Sequence, residues 1–384
     1  LKLFFIDQSG NLGGAELCLA DIAQSFETPV LIGLLQDGPF RERLESLQVP
    51  VQVLTKQALQ VRKESGLAAG LKSLQQLIPL IQKAARTAAD YDAIYANTPK
   101  ALVVGALASA LSRRPLVYHL HDIIAPEHFS KTNRQLLIFL ANRFARLVIA
   151  NSNASKAAFI EAGGQADKVE VVYNGFDLDA YPVAVALEEP RAALRQELGL
   201  SNRFVVGHFS RLAPWKGQHI LLEALTHLPE DVVALFVGDA LFGEDAYVEA
   251  LHQQVKDQGL SDRIRFLGFQ SDIPRLMAAC DLVAHTSTAP EPFGRVIVEA
   301  MLCARPVIAA AAGGAVELVE PGQTGWLCPP GDADKLAALI LSCRDQPEFT
   351  QAVAQRADQT ARQRFNLTET NQQIRSHLQA LLER

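Results

Sequence analysis

Arg211 and Lys216 stand in the run Phe209-Ser-Arg-Leu-Ala-Pro-Trp-Lys-Gly217, between a β-branched stretch and a helical one that opens at Gln218. Two cations on one such loop can converge on a single pyrophosphate, the arginine as a planar fork and the lysine as a point charge. Two solvated surface cations would leave the same trace. Farther along, Pro290-Glu-Pro-Phe-Gly-Arg-Val-Ile-Val-Glu299 brackets a run with two carboxylates, Glu291 and Glu299. Pro292 suits the first position of a helix, and Gly294 removes side-chain bulk from its first turn. Glu291 then sits at the mouth of that helix, with Glu299 two turns down. A carboxylate carried so far into a helix packed on a sheet needs a partner, and ligand hydroxyls can serve. No third ligand stands next to the pair, so it does not read as a metal site.

The first half of the chain offers a glycine turn and a histidine pair. Gly10-Asn-Leu-Gly13-Gly14-Ala-Glu16 follows an apolar run and leads straight into a helical pattern. Paired glycines there let backbone approach a ligand, and a helix N-terminus presents free N–H groups to an anion. A plain strand-to-helix turn remains the other reading. The spacing is not G-x-G-x-x-G, so the dinucleotide fingerprint is absent. Asp37, before Gly38-Pro39, reads as a turn residue, as does Asp177-Leu-Asp179 after Asn174-Gly175. In His119-Leu-His121-Asp122, one histidine is expected to point to each side of the strand end, with His121 the candidate for a cleft-facing hydrogen bond, against a satisfied structural histidine. A metal there would need further ligands nearby.

These loops require a scaffold that sets each at the end of a strand. Short apolar runs alternate with helical stretches along nearly the whole chain. They fall at Leu3–Ile6, Val30–Leu35, Val51–Leu54, Ala93–Tyr95, Leu116–Tyr118, Leu147–Ile149 and Val169–Val172. They resume at Phe204–Val206, Val232–Val237, Ile264–Leu267, Leu282–Ala284, Pro306–Ile308 and Trp326–Leu327. Continuous β-branched runs between helices indicate parallel strands buried on both faces, an α/β architecture. Gly66 to Ala89 reads as a helix with Leu67, Leu71, Leu74, Ile78, Ile81, Ala85 and Ala88 on one face and a kink at Pro79. The beat breaks once, over Asp177 to Pro190, where Glu188-Glu189 clusters. Two Rossmann-like domains joined by that linker follow, residues 1–180 and 181–365. A final helix at 366–384 starts at a capping-box pattern, Asn366 with Glu369.

The 384 residues carry 36 basic and 42 acidic side chains, net −6, which argues against a nucleic-acid binder. Five scattered cysteines, odd in number and without C-x-x-C, suggest a reduced cytoplasmic protein rather than a disulfide or zinc framework. Ala101 to Leu111 is too short to span a bilayer, and the N-terminus shows no basic-then-apolar signal. The chain opens at Leu1 directly on a strand-like run, which suggests that an initiator segment is missing or miscalled.

Taken in order, Gly13-Gly14-Ala-Glu16, His121-Asp122, Asn174-Gly175-Phe-Asp177, Arg211 with Lys216, Glu291 with Glu299, Gly313-Gly314-Ala-Val-Glu317 and Gly322-Gln-Thr-Gly325 resemble a known family. The chain is similar to retaining glycosyltransferases of family 4, and the likeness covers essentially its whole length. The resemblance implies the GT-B fold: two Rossmann-like domains facing across a cleft, with the last helix crossing back onto the N-terminal domain. It also implies transfer of a hexose from a UDP- or GDP-sugar to a glycan, lipid-linked or small-molecule acceptor. The nucleotide sugar is a substrate, and neither a cofactor nor a metal is expected. By the same resemblance Arg211 and Lys216 bind the diphosphate, and Glu299 holds the ribose. Glu291, with the amides of Phe293 and Gly294, holds the donor sugar; Arg295 and Val296 adjoin the donor. His121 reaches the sugar from the N-terminal domain, and Gly13 and Gly14 approach the phosphate.

The physical logic agrees. Breaking the sugar–phosphate bond leaves negative charge on the departing oxygen, and fixed cations stabilise it. Retention through two displacements would need a protein nucleophile. None is evident, which favours a same-face route assisted by the leaving phosphate. A sugar-nucleotide epimerase on the same fold, or a sucrose-phosphate-synthase-like transferase with a soluble acceptor, are the alternatives.

Charge is uneven. Residues 1–180 carry 18 basic and 17 acidic side chains, and Lys56 to Lys156 alone carries 14 against 5. That stretch includes Arg113, Arg114, Lys131, Arg134, Arg143 and Arg146. It suggests peripheral contact with an anionic membrane, at its cytoplasmic face, or else cations that are simply solvated.

Overall fold

In the computed structural model of the protein, residues 1–55, 67–181, 188–241 and 243–383 are described, with backbone alone for 67–76 and 188–190. The apolar runs become two parallel sheets. The first holds β1 (Leu3–Asp7), β2 (Val30–Leu34), β3 (Val51–Val53), β4 (Ala93–Ala96), β5 (Leu116–Leu120), β6 (Ala145–Ala150) and β7 (Val169–Val171) in the order β3-β2-β1-β4-β5-β6-β7. The second holds β8 (Phe204–Phe209), β9 (Val232–Val237), β10 (Ile264–Phe266), β11 (Leu282–His285), β12 (Val307–Ala310) and β13 (Trp326–Cys328) in the order β10-β9-β8-β11-β12-β13.

Alternation along β1 shows why these runs are apolar throughout. Phe4 and Ile6 enter one core, and Leu3 and Phe5 the other, so both faces are covered. The helix Gly14–Gln24 supplies Cys18, Leu19 and Ile22 to the second of these cores, and the last helix, Leu367–Leu382, adds Ile374 and Leu378. One unit is therefore Leu1–Gly175 with Leu367–Arg384, and the other is Phe176–Asn366. The boundary precedes the expected 180/181 because Phe176 is pinned in the second unit. Its N–H donates to Phe365 O at 2.8 Å, and it bridges to Asn366.

Two sequence expectations need correction. Helix Leu67–Ala88 forms and contains Pro79, but Ile78 is 51 % exposed while Leu80, Ala84 and Ala88 are buried. The buried face thus runs through Leu80, not Ile78. Leu67, Leu71 and Leu74 lie outside the residues whose side chains are described. In the linker, Glu188 and Glu189 belong to a helix, Glu188–Glu197, while residues 182–187 lie outside the described set. Arg195 of this helix pairs with Asp281 at 3.0 Å, and Asp281 also accepts the Val205 N–H at 2.7 Å, which ties the helix to the edges of β8 and β11.

Candidate active site

In each sheet the chain runs outward from its first strand and then returns to the other side of it. The order reverses between β1 and β4 in one sheet and between β8 and β11 in the other. Ligands of open α/β sheets bind beyond the carboxyl ends of strands at such switch points. Every candidate residue of the sequence lies in a loop or helix start that follows one of these strands, or β5 beside β4.

At the switch point of the second sheet, β8 leads through Arg211 to the 3-10 turn Pro214–Lys216 and the helix Gln218–Thr226. Gly217 has φ of +72°, and a Cβ there would lie 2.0 Å from Thr286 O. Only glycine lets the Lys216 turn lie this close to the loop after β11. Thr288 N–H donates to Trp215 O at 2.8 Å, and the Thr286 hydroxyl donates to Gly217 O at 2.8 Å. The two loops are thereby laced together.

That lacing sets Lys216 Nζ against the Glu291 carboxylate, at 2.7 Å from Oε2 and 3.0 Å from Oε1. The ammonium lies 4.0 Å from the Trp215 ring centroid, and the Arg211 guanidinium lies 5.8 Å from it. Arg211 donates to Glu244 Oε1 at 2.8 Å. Glu291 also accepts from Ser287 Oγ at 3.0 Å, and its Oε2 lies 3.1 Å from His285 Nε2. Ala310 N–H points at His285 Nδ1 at 3.4 Å, so the network makes Nε2 the nitrogen that donates to Glu291. Burial alone would raise the Glu291 carboxyl. The Lys216 charge and the hydrogen bonds from His285 and Lys216 outweigh it and hold it well below the usual carboxylate range.

The expected helix start at Pro292 is wrong. The helix is Arg295–Leu302, and Gly294 before it has φ of +98°, a left-handed conformation that right-handed helix geometry excludes. Pro292, Phe293 and Gly294 form instead a turn clamped by the Gly313-Gly314 pair. A Cβ on Gly313 would sit 2.2 Å from Glu291 O, and Gly314 N–H donates to that oxygen at 2.7 Å. Arg295 and Val296 open the helix, and Arg295 Nε lies 3.6 Å from Glu299 Oε1, one turn on. Burial raises the Glu299 carboxyl, with the Arg295 charge and hydrogen bond opposing.

At the switch point of the first sheet, Gly13 caps the helix Gly14–Gln24, and the Glu16 carboxylate folds back over it. A Cβ on Gly13 would meet Glu16 Oε2 at 2.6 Å. Asn97, after β4, donates through Nδ2 to Asp7 Oδ2 at 2.8 Å. Its Oδ1 therefore accepts, and His121 Nε2 lies 2.9 Å from it as the donor. His119 is buried, its Nδ1 2.8 Å from the Tyr95 hydroxyl.

Buried Asp7 and Glu16 and half-buried Asp122 make one acidic group. Burial pushes Asp7 and Asp122 up to about 6, and burial together with the Asp7 and Asp122 charges pushes Glu16 up to about 8. Carboxyls raised on folding make the native state bind more protons than the unfolded chain. Stability then falls as pH rises from about 4 toward 8. Glu16→Gln should flatten that fall, raising the Tm near pH 8 by on the order of a few degrees and changing it little near pH 5. Thermal melts across the range check this; a variant whose Tm declines in parallel with the parent would refute it.

Sequence reasoning missed His285, Ser287, Glu244 and Asn97. His285, Ser287 and Asn97 stand at or just beyond a strand end, the signal that singled out the other loops, while Glu244 caps the helix Asp245–Asp257 seven residues after β9.

Both units carry parallel sheets with helices on both faces and their candidate residues at strand-order reversals, the two-Rossmann plan of GT-B glycosyltransferases. The family patterns agree with it: "Glycosyltransferase Family 4" matches residues 13–180 and "Glycosyl transferases group 1" matches residues 190–361. The chain is 56 % identical to Anabaena HepE, solved in complex with UDP-glucose, over 99 % of both chains with a TM-score of 0.92. The chain therefore belongs to glycosyltransferase family 4. It is also 37 % identical over 190 residues to spore coat protein SA of Bacillus subtilis, 46 % of this chain and 50 % of that protein, about half its length. Sucrose-phosphate synthase of Thermosynechococcus elongatus, 19 % identical over 100 % of this chain and 99 % of that one, shares the fold with a TM-score of 0.83.

Proposed function

We propose that the protein transfers a hexose from a UDP-sugar, with UDP-glucose the first candidate, to an acceptor hydroxyl, with retention at the anomeric carbon and without a metal ion. The reading rests on the meeting of Lys216 with the buried Glu291 at 2.7 Å at a strand-order reversal. Similarity to HepE, which was solved with UDP-glucose, supports the choice of nucleotide. In this reading Arg211 and Lys216 hold the diphosphate, Glu299 the ribose, and Glu291 with the Phe293 and Gly294 amides the sugar hydroxyls. Arg295 and Val296 border the nucleotide; Gly13, Gly14 and His121 are the candidate residues of the first unit. The bond between the anomeric carbon and the β-phosphate oxygen breaks with its electron pair going to phosphate, where the two cations stabilise it. The acceptor oxygen attacks from the same face and gives its proton to the departing phosphate.

Thermal shift and UDP-release assays with UDP-glucose, UDP-galactose and GDP-mannose test the donor. Stabilisation and turnover are expected with UDP-sugars, and EDTA should not lower the rate. Activity abolished by EDTA and restored by magnesium or manganese would overturn the metal-free reading and bring Asp177-Leu-Asp179 back as a ligand pair.

The first unit carries the observation that bears on the acceptor. No described helix is long and apolar enough to cross a membrane. Yet Leu107 and Leu111 on the helix Pro99–Ser112 are 37 % and 62 % exposed, and Leu136 and Phe139 on its neighbour Lys131–Phe144 are 45 % and 60 % exposed. Arg113, Lys131, Arg143 and Arg146 are exposed around them; Lys56, Arg62 and Lys63 lie outside the described residues. Apolar side chains ringed by cations suit the headgroup region of an anionic bilayer, where a lipid-linked acceptor is presented. Sedimentation with phosphatidylglycerol vesicles should show binding at low salt that weakens at high salt. Binding absent at low salt, or indifferent to anionic lipid, would leave a diffusible acceptor.

A further inference from the structure

Cys18, His119 and His121 form a cluster that the donor-site reading does not explain. Cys18 comes from the helix Gly14–Gln24, His119 from the end of β5, and His121 from just beyond it. Each offers a ligand atom within 4.8 Å of the other two, the one such grouping of three among the described residues. Contrary to the sequence expectation, the two histidines do not point to opposite sides: residues two apart on a strand share a face, and the two imidazole centroids are 3.9 Å apart. His119 Nε2 is buried and has no hydrogen-bond partner, a state that calls for an ion or another explanation.

The surroundings are those of a ligand set. Ligating imidazoles are commonly fixed by a hydrogen bond through their other nitrogen. His119 has the Tyr95 hydroxyl at its Nδ1, at 2.8 Å. His121 has Asn97 Oδ1 at its Nε2, at 2.9 Å, and Asp7 orients that amide. The Cys18 thiol faces Asn174 Oδ1 at 3.5 Å, a weak contact that a metal–sulfur bond can replace. Among the five cysteines, all buried and none in a disulfide, Cys18 alone belongs to the first unit.

We propose that Cys18, His119 and His121 bind a borderline-soft divalent cation, zinc by this ligand set, and that the bound ion inhibits transfer by occupying His121, a candidate residue of the first unit. Tetrahedral zinc with bonds of about 2.0–2.3 Å sets one sulfur and two nitrogens about 3.3–3.6 Å apart, so the side chains close by about 1 Å. The Cys18 thiol releases its proton to solvent as the zinc–sulfur bond forms, and no electrons are transferred. Half-buried His121 is the side from which the ion enters and where water completes the fourth position. The inhibitory part rests on the donor-site reading; the binding part does not.

Cobalt(II) titration of the whole protein under a non-thiol reductant tests the site directly. A thiolate-to-cobalt charge-transfer band with the intense visible bands of tetrahedral cobalt is expected at one equivalent, and zinc should displace it. Cys18→Ser should abolish the charge-transfer band and His119→Asn should weaken binding at least tenfold, with folding checked by circular dichroism. Cys343→Ser should keep the full spectrum. Zinc at one equivalent should inhibit the parent enzyme and spare Cys18→Ser. Absence of the band, or its survival in Cys18→Ser, overturns the site. A normal band with turnover indifferent to zinc overturns the inhibition alone. Should no donor be turned over at all, the cobalt spectrum still decides the site.

Discussion

Replacing Lys216 with alanine should lower kcat by about 100- to 1,000-fold, the loss usual for one preorganised group facing a developing oxyanion. Donor KM should change far less, because in the proposed reading the lysine's charge acts on the phosphate as it begins to leave. The geometry sharpens the expectation. Lys216 is only 15 % exposed, and its partner Glu291 is 11 % exposed. Removing one member of so buried a pair is destabilising by on the order of 3–5 kcal/mol, so thermal stability should fall as well.

The double variant Lys216→Ala/Glu291→Gln separates the two effects. A glutamine carbonyl still accepts from Ser287 and His285, which surround Glu291 Oε2 in the parent. With no buried charge left unpaired, much of the lost Tm should return while kcat stays low. If turnover recovers along with stability, the lysine serves only to neutralise Glu291, and its part in leaving-group departure is wrong.

What could be read from the residues alone, and what could not, divides by range. The strands were legible because burial on both faces makes each a continuous apolar run, as at Val232–Val237, whatever its register. The site loops were legible because parallel sheets put ligands at strand ends, where glycines and charges gather. Backbone detail was not. Pro292 is as good a helix opener as any, and only the +98° φ of Gly294 shows that the chain turns there before the helix begins at Arg295. The face of the helix Leu67–Ala88 was misread at Ile78, where a one-position choice among adjacent leucines and isoleucines decides which side chain is buried.

Partnerships between loops were invisible for a related reason. Arg211 meets Glu244, and Glu291 meets His285, because neighbouring strands bring their ends together. No spacing in one loop encodes the charge that waits on the next. Cys18 is the extreme case: it reaches the histidines of β5 from a helix that precedes them by most of the first sheet.

The same reasoning gives Glu299 a different signature from Lys216. Its carboxylate lies one turn into the helix Arg295–Leu302, 15 % exposed, with the Arg295 guanidinium 3.6 Å away as its ion-pair partner. A charge-assisted hydrogen bond to a ribose hydroxyl is worth about 1.5–3 kcal/mol, and the ribose carries the same charge before and during bond breaking. Uniform binding of this kind lowers KM without raising kcat. Glu299→Ala should therefore raise donor KM by about 10- to 100-fold and leave kcat within a factor of about three. Arg295, released from its partner, still lies over the Phe176 ring at 4.5 Å, so the helix start should hold. Initial rates over a range of donor concentrations, with acceptor saturating, measure both constants. A fall in kcat at unchanged KM would place Glu299 against the reacting sugar instead of the ribose.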